Sequence, residues 1–159
     1  MTRKPVRSKI GEGRTIAVVG DVYHLLATGK ETDGKYALIE AIVPPGGGPP
    51  PHSHSREEEG FYVLEGELRI TVDGEPFVAH RGDFVNLPIG SLHSFTNATD
   101  KPAKMLITLA PSGLEKMFVE IGHPVSPDAT TASPPTPEEL AQLPTVAARY
   151  GVTMVVPKR

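Results

Sequence analysis

An all-β domain, a sandwich or closed barrel, is the fold class this sequence predicts. Two observations predict it. Short runs rich in Val, Ile, Thr, Tyr and Phe recur from Thr15 to about Leu109, and Gly, Pro or Asp separates them at regular spacing. The runs read TIAVV (15–19), VYHLLAT (22–28), YALIEAIV (36–43), GFYVLEG (60–66), ELRITV (67–72), PFVAH (76–80), DFVNLP (83–88), LHSFTN (92–97) and AKMLITLA (103–110). Asp73-Gly74 between two of them is a hairpin signal, because a tight primed turn needs positive φ, and Gly66 plays a similar part.

After Pro111 the pattern changes. Ser112 to Glu115 has the spacing of a capping box, followed by Leu114, Met117, Phe118 and Ile121 at helical period, with Gly122 as a stop. Residues 123–136 are rich in Pro, Ser, Thr and Ala and read as a loop. Thr136 caps a second short helix with Pro137 at its first position and Glu139 closing the cap; Pro144 interrupts that segment, and VTMVV (152–156) reads as a last strand. The expected organisation is an arm over residues 1–14, one barrel over 15–110, and an extension with two short helices over 111–159.

Composition narrows the function classes. The chain has 159 residues, enough for one well-buried domain, and Gly 16 with Pro 17 suits many turns. A net charge of −3 provides no footprint for nucleic acid or an anionic membrane. No apolar stretch approaches the roughly 20 residues of a membrane helix, and no apolar segment follows the basic run Arg3, Lys4, Arg7, Lys9, so a cytoplasmic protein is expected. With no cysteine there is no thiolate metal site and no cysteine nucleophile.

The stretch PPHSHSREEE (50–59) carries the chemistry. In an extended chain residues i and i+2 face the same side, so His52 and His54 can aim their imidazoles at one point. A divalent ion held there needs further ligands, and a carboxylate and another imidazole suit a first-row metal. Of the other histidines, His93 stands out behind the turn Pro88-Ile89-Gly90, whereas His24, His80 and His123 read as surface or packing residues.

Residues 46–66 fit G-x5-H-x-H-x4-E-x6-G through Gly46, His52, His54, Glu59 and Gly66. Residues 82–97 fit G-x5-P-x-G-x2-H-x3-N through Gly82, Pro88, Gly90, His93 and Asn97. On both motifs, in this order, the chain resembles the cupin superfamily. The resemblance implies a double-stranded β-helix, or jelly-roll barrel, enclosing an apolar cavity. It carries the metal ligands onto His52, His54, Glu59 and His93, for one divalent transition ion such as Fe, Mn, Ni or Zn. Glu58 is the fallback ligand, one residue short of the motif spacing.

Strand phase follows from Glu59. If it points inward, so do Phe61 and Val63, while Tyr62 and Leu64 face outward and need cover from another segment or subunit. His93, Phe95 and Asn97 share a face, so Phe61, Val63 and Phe95 are the expected pocket lining, and Glu57 and Glu58 are expected in a solvated turn. The sequence around the motifs is similar to that of small cupins related to quercetin dioxygenases. That implies oxygenative cleavage of a small chelating substrate, flavonol- or diketone-like, with Glu59 as general base, in a homodimer. Two rivals stand beside it: a metal-dependent isomerase of a sugar-like ligand and a non-catalytic small-molecule binder.

Overall fold

The computed structural model describes residues 2–9 and 11–155. Its strands are β1 (Thr15–Val18), β2 (Asp21–Ala27), β3 (Ala37–Val43), β4 (His52–His54), β5 (Glu58–Glu65), β6 (Glu67–Val72), β7 (Glu75–His80), β8 (Phe84–Leu87), β9 (His93–Thr96), β10 (Ala103–Ala110), β11 (His123–Pro124) and β12 (Val152–Met154). Three helices join them: α1 (Gly29–Thr32), α2 (Glu115–Ile121) and α3 (Pro137–Arg149). The strands form two antiparallel sheets, one in the order β11-β1-β2-β3-β10-β5-β8 and one in the order β12-β4-β9-β6-β7. This is the jelly-roll arrangement expected.

The strand alternation explains the layering. On β3 and β10 the cross-strand pairs Ala41–Met105, Ile39–Ile107 and Ala37–Leu109 all point inward and are buried. Phe61 and Val63 of β5 continue that layer, and Leu68, Ile70, Ala79 and Phe95 of the second sheet face it. Interdigitated aliphatic side chains therefore fill the barrel, as a chain without tryptophan requires. The β6–β7 hairpin turns on Asp73 and Gly74, both at positive φ, as their dipeptide predicts.

Several local expectations change. The short run 52–54 is a strand, β4, between β9 and β12, and β5 begins at Glu58 rather than Gly60. Ser112 does not cap α2. Glu115 instead turns back, its Oε2 accepting from Gly113 N at 2.6 Å and its Oε1 from Gly29 N at 2.9 Å, so it ties α2 to the start of α1. Thr136 and Glu139 form the expected capping box of α3. That helix runs through Pro144, whose cost of about 3 kcal/mol in a helix interior is offset by burial of Leu143 and Ala147 against the barrel. Part of the expected loop, His123–Pro124, pairs with β1, and β12 pairs with β4, so the C-terminal segment completes both sheets. Val156, expected in the last strand, lies outside the described residues.

Candidate metal centre

Strand register builds the site. His52 and His54 lie two apart on β4, and His52 stands directly opposite His93 of β9. Glu59 comes from the other sheet, on β5 between Leu87 and Leu109. All four side chains are buried, and one ligand atom from each lies within 4.8 Å of the others. An ion held there would join the two sheets at one end of the barrel.

The hydrogen-bond partners outside the cluster fit a metal. His52 Nδ1 is 2.9 Å from the Pro50 carbonyl, His93 Nδ1 is 3.0 Å from the Ser91 carbonyl, and His54 Nδ1 is 2.9 Å from Glu57 Oε1. A carbonyl only accepts, so Nδ1 of His52 and His93 must carry the proton and leave the Nε2 lone pair for the centre. Glu59 Oε2 sits 2.9 Å from His93 Nε2 and 3.0 Å from His54 Nε2. The second contact is too poorly aligned to be a hydrogen bond, and His54 Nε2 is buried without a partner. An orphaned buried imidazole nitrogen beside a carboxylate is what a cation would satisfy.

Electrostatics divides the four side chains. Desolvation brings His52 down to about 4, against the opposing charge of Glu59. Desolvation alone would also lower His54, but the carboxylates of Glu57 and Glu59 overcome it and raise it to about 9. For Glu59, burial would raise the carboxyl, and contacts from His54 and His93 outweigh it, holding it at about 2.

Glu57 corrects an expectation. Far from solvated, it is buried and orients the His54 ring through Nδ1. It lies immediately before β5, where its contact with His54 holds it in the interior. Glu58 alternates to the outer face, exposed, and accepts from Asn86 Nδ2 at 2.5 Å, so it cannot serve as the fallback ligand. Replacing Glu57 by Gln should weaken metal affinity by about tenfold, the usual scale for an outer-shell carboxylate. Calorimetric titration above pH 9, where His54 carries no competing proton, would measure it, and unchanged affinity would refute the role.

A cavity of about 50 Å³ opens beside the cluster, with His52, His54, Glu59 and Phe95 in its lining. Phe61 and Val63, expected there as well, are fully buried deeper along β5; Phe61 packs edge-on to His93 and Phe95, behind the ligands. The walls missed by sequence reasoning come from afar: Asp21 and Tyr23 of β2, Met117 and Phe118 of α2, Leu143 of α3, Val152 and Met154 of β12. Asn97, the last residue of the second motif, is structural. Its amide donates to the Val43 and Lys101 carbonyls and accepts from Thr99, closing the end of the barrel. Of the remaining histidines, His24 is buried against Thr15 Oγ1, and His80 and His123 are exposed.

The family model for the cupin domain matches residues 39–109, the segment that holds all four clustered side chains. The chain is also 34% identical over 124 residues to the polyketide synthase CurC of Streptomyces cyaneus, covering 76% of this chain and 79% of that one. This chain is a cupin. It is 30% identical over 114 residues to quercetin 2,3-dioxygenase of Bacillus subtilis, covering 72% of this cupin but only 34% of that protein, so it spans about a third of the dioxygenase's length. Among solved structures, the polyketide cyclase RemF from Streptomyces resistomycificus superposes with a TM-score of 0.61 at 22% identity, over 69% of this chain and 81% of that one, a likeness of fold. No helix among the described residues is long and apolar enough to cross a membrane.

Proposed function

We propose that this cupin is a metal-dependent enzyme acting on a small, chelating, enolisable substrate of the 1,3-diketone or hydroxyketone class. One observation carries the reading: three histidines and one glutamate cluster in the interior, and His52, His54 and Glu59 of that cluster line a cavity whose other walls are apolar apart from Asp21 and Tyr23. The ion, when bound, would act as a Lewis acid on the substrate's paired oxygens and acidify the proton between them. Glu59 is the base. Its carboxylate is ionised at neutral pH, and a carboxylate of ordinary strength suits a proton already made acidic and not an unactivated C–H bond. Glu59 Oε2 lies 2.9 Å from His93 Nε2 and 3.0 Å from His54 Nε2, so one ion would be shared by all three atoms.

The polyketide names of CurC and RemF support this substrate class, since poly-β-ketones are chains of 1,3-dicarbonyl units. A second reading, oxygenative cleavage of a flavonol-like ring, is favoured by the likeness to the Bacillus dioxygenase. Both begin with the same deprotonation. A sugar-phosphate reading loses support, because no Lys or Arg among the described residues lines the cavity, and Arg56, Arg69 and Arg81 are exposed. Protein loaded with Fe, Mn, Ni or Zn should convert β-diketones or flavonols, and an oxygen electrode separates the two readings. Turnover without oxygen uptake favours enolisation and ring closure, uptake favours cleavage, and no turnover with any metal refutes the enzyme.

The cavity is far smaller than the roughly 300–1,000 Å³ of small-molecule pockets. A ring-sized substrate therefore needs more room than the walls formed by α2, α3 and β12 leave in this structure. A second copy of the chain is the partner proposed for the outer face, where Tyr62 and Phe84 pair across β5 and the edge strand β8, both exposed. Tyr62→Glu with Phe84→Glu should halve the mass in sedimentation without loss of metal; an unchanged mass would refute that interface.

A further inference from the structure

The cavity holds one acid that the metal cluster does not use. Asp21, the first residue of β2, is 2% exposed and lines the cavity together with His52, His54 and Glu59. Its Oδ1 is buried and makes no hydrogen bond. A glycine run makes room for it. A Cβ on Gly47 would lie 2.7 Å from Asp21 Oδ1, and one on Gly48 would lie 1.9 Å from the Phe95 carbonyl, so only glycine lets this loop close over the carboxyl. Two residues on, and on the same strand face, Tyr23 also reaches the cavity.

We propose that Asp21 is a substrate-binding residue, its carboxyl hydrogen-bonding a carbonyl or enol oxygen of the ligand beyond the chelating pair. The inference rests on the proposed function in one respect, that the ligand is an oxygen-rich chelator entering this cavity. A carboxyl serving only to hold the glycine loop would gain most from ionising toward the Gly48 N–H and from a full set of partners. Here burial dominates, raising Asp21 to about 8, and the Gly48 N–H opposes it only in part. At neutral pH the group is a carboxylic acid, a donor in an apolar wall. The other titratable groups of the cavity are Tyr23 on its own strand and His52, His54 and Glu59; β1, α2, α3 and β12 present only apolar side chains there. Burial, with the charges of Asp21 and Glu59, holds the Tyr23 phenol well above its ordinary value, so it stays neutral over the same range.

The test uses the zinc-loaded protein and two probes, acetylacetone and diacetylacetone, which adds a third carbonyl. Calorimetry should find wild type binding diacetylacetone about tenfold more tightly than acetylacetone below neutrality, the scale of one buried hydrogen bond, with the preference fading above about pH 8. Asp21→Asn, whose amide donates but does not titrate, should keep the preference at every pH, and Asp21→Leu should lose it, both at unchanged zinc stoichiometry. A preference retained by Asp21→Leu, or one in wild type as independent of pH as that of Asp21→Asn, would overturn the assignment while leaving the chelating-substrate reading intact. If the leucine variant does not fold, the comparison of wild type with Asp21→Asn across pH decides alone. Failure of both probes to bind wild type would sink the chelating-substrate reading and this inference together.

Discussion

Replacing His93 or His52 with alanine is expected to reduce bound metal from about one equivalent per chain to a small fraction of that. Each change removes one of the four side chains that would hold the ion, and loss of a ligand costs more than the 10- to 100-fold typical of an outer-shell partner. The larger consequence is for stability. The cluster takes three ligands from the five-stranded sheet and one from the seven-stranded sheet, so an ion would cross-link the two layers. Metal at a thousandfold excess over its dissociation constant stabilises the folded chain by about 4 kcal/mol, roughly 10 °C in a chain of this size. Both variants also leave a cavity in a well-packed wall, which lowers Tm with or without metal. The informative quantity is therefore the difference in Tm between metal-loaded and chelator-treated samples of the same variant. It should be large in wild type and near zero in His93→Ala and His52→Ala. Wild-type-sized differences in both variants, with undiminished metal by elemental analysis, would remove the site.

How far this site could be read from the chain depends on distance. His52, His54 and His93 were legible because strand parity and two spaced motifs fix them locally, and Glu59 because its motif chooses among three adjacent carboxylates. Glu57 was hidden by a boundary. A strand begun at Gly60 leaves it in a solvated turn, whereas β5 begins at Glu58, directly after it, and no local pattern announces the contact with His54 Nδ1. Phe61 and Val63 had the right direction and the wrong depth, since parity says which face a side chain takes but not how far from the mouth it lies. Asp21 gave no signal, because an acid after Val19-Gly20 reads as the end of a hairpin turn. Its role depends on glycines 47 and 48, which fold back from elsewhere in the chain. The roof was half legible: the helical period announced an apolar face on α2, yet nothing local said that Met117 and Phe118 would cover the metal cavity.

Metal binding at pH 7 should release about one proton, and the apparent affinity should rise with pH until it levels near 9. Without metal, His54 is held at about 9 and Glu59 at about 2, so the neutral-pH site contains an imidazolium beside a carboxylate. The Nδ1 proton of His54 stays on its bond to Glu57, so the proton displaced by metal is the one on Nε2, and each pH unit below 9 costs about tenfold in affinity. His52, brought down to about 4, is already neutral and releases nothing. Calorimetry in two buffers of different ionisation heat counts the proton directly, and a count of zero at pH 7 would show His54 neutral before metal arrives. The same shifts fix the sign for stability. His54 is raised above its ordinary 6.5, so its contribution to the metal-free fold is fully present below that value and lost as pH rises through about 9. Asp21 pulls in the same direction, favouring the fold while protonated and losing that advantage between 3.8 and about 8. Glu59 runs the other way, its contribution present above 4.5 and lost as pH falls toward 2. The metal-free protein therefore weakens from neutrality to pH 9, over the interval in which the metal binds more tightly. The gap in Tm between loaded and stripped protein should widen steadily from pH 6 to 9, and a gap that stays constant would contradict the raised His54.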